Sequence, residues 1–196
     1  MGHATSFARR LLKWNDQTKL LQPGDTGELL LLASIAAEHA GQPRKAQDYA
    51  SDAVTVARDS KLAALGARSA GRMGVLKLQQ DDAEAAEKWL WDALRFARES
   101  GDSRALSDVH LSLGFFYQRC EDSDLAQTAY RMSKELAQEH GLKEAEFAAR
   151  SAIAGLERVL GNLQEAREAF ENLANAAVEA GLEVASLNAR LQLGLC

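Results

Sequence analysis

Aromatic residues make up only 6% of the 196-residue chain, and there are just two prolines. A β-rich fold draws on aromatic and β-branched residues, so it is disfavoured here; plentiful alanine and leucine favour helices instead. Cysteine is scarce as well. Cys120 and Cys196 are too few for a disulfide framework, and a reducing, cytoplasmic setting is the expectation. No run approaches the roughly 18 apolar residues of a membrane span. The first residues lack a signal-peptide core, although Met1-Gly2-His3 has the look of an expression scar that hides the true start.

Strong charge of either sign is missing too. The net charge is −5 with no basic tract, so nucleic acid is not an expected partner. His3, His39, His110 and His140 show no zinc-ligand spacing, and there is no Cys-x-x-Cys, so no metal is expected. Gly-x-Ser-x-Gly, phosphate-loop and dinucleotide motifs are also absent; Gly71-Arg72-Met73-Gly74 falls inside a helical stretch. Carboxylates are numerous, but most fall on outer helix faces. The chain therefore reads as non-enzymatic and without cofactor. His110 is expected to be packed rather than a ligand, and Cys120, beside Arg119, to be a structural thiol.

What is present is a repeat. The stretch Asp81–Gly101 returns 40 residues later at Glu121–Gly141, again at Gly161–Gly181, and earlier at Gly41–Lys61. Between-helix turns fall at Gly41, Asp81, Glu121 and Gly161. Next come Gln42, Asp82, Asp122 and Asn162, a column of helix-capping residues. Asn162 with Glu165 and Asp81 with Glu84 have capping-box spacing, and Pro43 suits a first helical position. Alanine never varies at 46, 86, 126 and 166 or at 57, 97, 137 and 177, as close helix approach requires. Each second helix ends at Gly101, Gly141 or Gly181, with Lys61 in the same column. Each first helix carries its own small residue: Ser34, Gly74, Gly114, Ala154 and Gly194.

These columns resemble the tetratricopeptide repeat (TPR) family: Leu113-Gly114 in a first helix, then Ala126 and Tyr130 in a second; Ile153-Ala154, then Ala166 and Phe170. The resemblance covers roughly residues 26–196. It departs from the family in its 40-residue period, against the usual 34, and in lacking the closing proline. In this it is similar to the long-helix variety of bacterial regulators and signalling adaptors. The implied fold is all-α, a right-handed α-solenoid of stacked antiparallel helix hairpins. Residues 1–25 form an N-terminal capping helix and turn. Repeats follow near 26–60, 63–100, 103–140 and 143–180, with the first helix of a fifth at 183–196. The leading helix places Phe7, Leu11, Trp14 and Leu21 along one face and holds Arg9, Arg10, Lys13 and Lys19 against Asp16. A cap on the first repeat is expected over a membrane-surface helix.

In the TPR family, first helices line a concave groove that holds a partner. Carried onto this chain, the inward columns give Leu31, Ile35, Arg68, Arg72, Val75, Gln79, Asp108, Leu111, Phe115, Gln118, Arg119, Arg150 and Arg158. Such a groove, apolar at its base and bordered by arginines, suits an amphipathic helix or extended peptide with acidic residues. TPR domains that grip acidic chaperone tails use a lysine and asparagines in these columns, where this chain has Leu31, Gly71, Leu111, Ile35, Val75 and Phe115. That ligand class is not expected. Outside the groove, Trp91 stands where other units are polar. At the far end Val184, Leu187, Leu191, Leu193 and Leu195 would leave an apolar edge, either because a longer array was cut or because copies associate there. The expected function is a protein-interaction module within a larger bacterial protein, its protein or peptide partner unidentified. The alternatives are a ligand-sensing segment of a signalling or transcription regulator, or a self-assembling scaffold forming homo-oligomers through the C-terminal helix.

Overall fold

The computed structural model describes residues 2–18 and 20–195, with side chains except those of residues 2–5, 7–9 and 16. Readings that rest on the side chains of His3, Phe7, Arg9 and Asp16, or on Lys19 and Cys196, lie outside it. Ten α-helices and no strand occur among the described residues. They fall into two compact units, Met1–Ala105 and Leu106–Cys196. The first holds α1 (Gly2–Thr18), α2 (Pro23–His39), α3 (Pro43–Asp59), α4 (Ala63–Leu78) and α5 (Ala83–Ser100). The second holds nearly all of α6 (Ser103–Arg119), then α7 (Ser123–Glu139), α8 (Lys143–Val159), α9 (Leu163–Glu179) and α10 (Glu183–Leu193).

The helices are cut by one device repeated every 20 residues. Gly41, Lys61, Asp81, Gly101, Glu121, Gly141, Gly161 and Gly181 all have positive φ. In seven of these eight turns the following N–H reaches the carbonyl five residues back, as from Gln42 to Ala37 (2.9 Å) and Leu182 to Ala177 (2.8 Å). That is the Schellman closure, which satisfies carbonyls a helix end would orphan. At Gly101 the Asp102 N–H goes to Ser100 Oγ instead, 3.1 Å away. Leu62, Leu142 and Leu182 follow their turns half-buried, the apolar contact such an ending favours.

Capping is more selective than the sequence pattern suggests. Asp82 accepts from the Ala85 N–H (3.2 Å) and Asp122 from the Leu125 N–H (3.1 Å). Gln42 and Asn162 make no cap bond: Gln42 accepts from Lys45 and Asn162 donates to Glu157. Asp81 is the left-handed turn residue and the N-cap position falls to Asp82, while Glu84 pairs with Lys88. Pro43 does open α3. Pro23 opens α2 in the same way, three residues before the expected start, since a first-turn proline forfeits no hydrogen bond.

Packing follows the small-residue columns. Ala46, Ala86, Ala126 and Ala166 are fully buried, as are Ala97, Ala137 and Ala177, with Ala57 nearly so. The small residues of four first helices lie against their second helices. The Ser34 hydroxyl donates to the Ala46 carbonyl at 2.8 Å. A Cβ at Gly74 would lie 2.7 Å from Leu90, and one at Gly114 would lie 2.3 Å from the Tyr130 ring. Ala154 packs with Ala166 and Phe170. First helices also touch their neighbours in kind, α2 against α4 and α8 against α10. Successive pairs therefore stack within each unit.

The leading helix packs on α2. Leu12 joins the core beneath it, and Asn15 is buried, donating to Thr26 Oγ1 (3.1 Å) and accepting from the Leu21 N–H (2.9 Å). Of the expected face, Trp14 is exposed, and Leu11 and Leu21 are half-buried, as is Leu12. At the other end Val184, Leu187, Leu191 and Leu195 are exposed, while Leu193 packs against the core of Ala154, Ala166 and Phe170.

Candidate functional site

In the first unit several inward-column residues bond or pack within the chain itself. Leu31 is buried with Leu30, Ala53, Ala57 and Leu65, so it presents nothing to a ligand. Arg72 Nε donates to Ser34 Oγ (3.1 Å), and its Nη2 donates to Glu38 Oε2 (2.5 Å). Gln79 donates to the other Glu38 oxygen (2.6 Å), and Arg68 pairs with Glu28. Burial pushes the Glu38 carboxyl up, but the bonds from Gln79 and Arg72 outweigh it and hold it below the usual carboxylate value. These arginines link α4 to α2 through carboxylates of the chain itself. Ile35 is exposed and Val75 half-buried.

The second unit is different. A cavity of about 840 Å³ opens between α6, α8 and α10. Leu111, Phe115 and Gln118 of α6 form one wall. Tyr130 fixes that wall, its phenol donating to Gln118 Oε1 (2.7 Å) while the Phe115 ring meets it edge-on with centroids 5.4 Å apart. Burial pushes the phenol up, so it stays a neutral donor. Along α8 the lining is small, Ala148, Ser151, Ala152 and Gly155, and this is what makes the hollow. No atom lies within 4 Å of where a Gly155 Cβ would sit. Phe147 and Leu173 close the floor, and Val184, Asn188 and Gln192 of α10 form the far side.

Arg158 ends the α8 stripe, and its Nε is buried without a hydrogen-bond partner. Among the described residues it is the one cation lining the cavity; Glu144 and Glu183 line it as well, each in the first turn of its helix. Glu144 and Arg158 are 14 residues apart on one helix, or about 21 Å at 1.5 Å per residue.

Of the residues expected to form the groove, Leu111, Phe115, Gln118 and Arg158 are brought together here, and Val184, expected at an association edge, joins them. Arg150 lies outside the cavity, paired with Glu146 (3.8 Å) and set over the Phe147 ring; Asp108 and Arg119 do not line it either. Among the residues not foreseen are Glu144, Phe147, Ala148, Glu183, Asn188 and Gln192. The repeat itself could have found two of them, since Ala148 and Asn188 share the column of Arg68 and Asp108. His110 is buried, Cys120 exposed and Trp91 half-exposed with its Nε1 3.5 Å from Glu87. Among the described residues no His, Cys, Asp and Glu cluster could hold a metal, and no helix is long and apolar enough to cross a membrane.

No family model matches the chain, and no curated protein matches it. Solved structures do. A Rap protein complexed with Competence and Sporulation Factor superposes with a TM-score of 0.74 at 18% identity, over 85% of this chain and 47% of that one. The Rap conjugation gene regulator of plasmid pLS20, in complex with the Phr* peptide, gives 0.76 at 13%, over 97% and 52%. A kinesin light chain with TPR-like repeats from P. anserina gives 0.63 at 13%, over 92% and 88%. The chain spans about half the length of the Rap proteins it matches. At these identities the likeness concerns fold. The class is all-α helical repeat, and within that class the fold is of the TPR type.

Proposed function

We propose that the chain is a non-enzymatic interaction module, part of a larger bacterial protein, that holds a peptide or helix of a partner protein in the groove of α6, α8 and α10. One observation carries this reading: a largely apolar cavity of about 840 Å³ in which Arg158 is the one cation among the described lining residues. Pockets of a few hundred to about a thousand Å³ with few convergent polar groups are the usual form of a binding site. The peptide- and factor-bound Rap structures of like fold support it. Packed helices present such a wall already ordered, so little conformational entropy is lost when the partner arrives. Gly155→Trp tests the reading by filling the hollow. The wild-type protein, used as bait in a native lysate, enriches a partner identified by mass spectrometry, and the variant loses it while its helical circular dichroism is kept. Equal enrichment by both removes the groove from the account.

A second reading rests on α10 and the residues just after it, where Val184, Leu187, Leu191 and Leu195 are 60–73% exposed. An apolar stripe of this kind suits a second copy of the chain. Light scattering over a concentration series then shows growth in mass that Leu187→Asp with Leu191→Asp abolishes; a constant monomer mass in the wild type excludes it.

A further inference from the structure

We propose that Tyr130 sets the hydrogen-bonding sense of the cavity wall: it holds the Gln118 amide with its NH2 group turned outward, so that the site selects an occupant offering an acceptor oxygen beside Phe115. The inference rests on the groove reading above and adds the chemistry that this wall recognises. Tyr130 is a positioning residue, fully buried behind α6 and not itself in the lining.

One proton decides the orientation. A phenol carries a single O–H donor, and a buried donor left unmade is costly. Burial also keeps the phenol protonated. The hydroxyl must therefore donate, and the oxygen it reaches is Gln118 Oε1 at 2.7 Å. Turning Nε2 toward the phenol instead would set one donor against another. The ring cannot swing away, because a Cβ at Gly114 would lie 2.3 Å from it and Phe115 meets it edge-on. With Oε1 engaged, the outward end of Gln118 is its NH2. Among the described residues that nitrogen makes no hydrogen bond, and it is not sealed in the interior. Gln118 lines the cavity, so the NH2 is a donor still to be satisfied there.

The pair occurs in one repeat. The Tyr130 column reads Ala50, Leu90 and Phe170 elsewhere, and the Gln118 column reads Glu38, Leu78 and Arg158. Phe170 is also fully buried and packs with Ala154 and Ala166 without any hydroxyl. Packing thus accounts for the ring at this position, and what the hydroxyl adds is its hold on Gln118. An amide freed from that hold meets a donor as readily as an acceptor. Held, it leaves an incoming N–H unpaired against its own, which discriminates against donors. A carbonyl or carboxylate oxygen is the group that fits.

The test uses two neutral five-membered rings of matched size: cyclopentanone, which only accepts, and pyrrole, whose N–H only donates. Each is titrated into the whole 15N-labelled protein, and affinities are read from backbone amide shifts of cavity-lining residues such as Gly155. Wild type is expected to bind cyclopentanone at least fivefold more tightly than pyrrole. The Gln118 NH2 resonances, assigned by their loss in Gln118→Met, should move with cyclopentanone. Tyr130→Phe should bring the two affinities within twofold, as should Gln118→Met. A merely structural role for Tyr130 would weaken both rings alike and leave their ratio unchanged. If Tyr130→Phe does not fold, the ratio in Gln118→Met decides. A wild-type ratio below fivefold, or one that these variants leave intact, overturns the proposal. Gly155→Trp separates the levels. If it blocks both rings but wild type shows no preference between them, the groove stands and the selection falls. If it blocks neither, or neither ring moves a cavity-lining resonance, both fall.

Discussion

The Arg72 guanidinium bridges from α4 to α2, where it donates to Glu38 Oε2 at 2.5 Å, to the Ser34 hydroxyl at 3.1 Å and to the Ser34 carbonyl at 3.3 Å. Its side chain is 15% exposed, so removing it takes the charged donor from a half-buried carboxylate, which keeps only Gln79, and the donor from the Ser34 hydroxyl. Arg72→Ala is expected to cost about 2 kcal/mol, within the range for bonds to charged groups. Arg68→Ala, at a pair with both partners about 45% exposed, should cost under about 1 kcal/mol. Urea unfolding of the two variants measures the contrast, and equal losses would contradict it.

Glu38 makes the same staple sensitive to acid. Its carboxyl titrates below the ordinary value in the folded chain, so the unfolded chain binds the proton first as pH falls. The stability it contributes is complete above the unfolded carboxylate pKa and drains away as pH drops through the lowered folded one. Wild type should lose stability more steeply than Glu38→Gln below the usual carboxylate range. Parallel pH profiles from urea melts would refute this.

Three of the eight turns place a side chain where glycine is at ease. Lys61, Asp81 and Glu121 have φ of 55°, 59° and 61°, a region that costs an L-residue roughly 1–2 kcal/mol. Part of that is offset by the greater freedom glycine has when unfolded. Lys61→Gly is therefore expected to stabilise by about 0.5–1 kcal/mol, read as a higher midpoint in thermal or urea unfolding. Lys61 is exposed and no hydrogen bond or ion pair of its side chain is lost, which makes it the cleanest of the three.

The period of 40 and its alanine columns made the helix pairs legible in the sequence, because a residue that must be small for packing reasons leaves the same mark in every repeat. Ala46, Ala86, Ala126 and Ala166 are fully buried for that reason. The groove was legible only in part. Columns reveal which positions face inward, but not whether the chain satisfies them itself. Arg68, Arg72 and Arg158 look alike in sequence. Two are paired with glutamates 40 and 34 residues earlier, and the third has a buried nitrogen without a partner. Asn162 shows the same limit locally: its type suits a cap, yet Glu157, within 2.6 Å, competes for its side chain. The hollow was hidden because it is made of absences, a run of Ala148, Ser151, Ala152 and Gly155 facing Phe115.

Two glycines on the first helices of the second unit should respond oppositely to the same substitution. At Gly114 a Cβ would lie 2.3 Å from two Tyr130 ring atoms. Tyr130 is fully buried and tied to Gln118, so the ring has no room to move aside, and Gly114→Ala should cost about 1–3 kcal/mol. At Gly155 nothing lies within 4 Å, and a helix-interior alanine should gain up to about 1 kcal/mol. Thermal unfolding followed by circular dichroism ranks the pair, with Gly155→Ala above wild type and Gly114→Ala below. The two glycines then differ in kind: one is required by packing. The other lowers stability in a helix that alanine would strengthen, and what it leaves open is the floor of the groove beside Arg158.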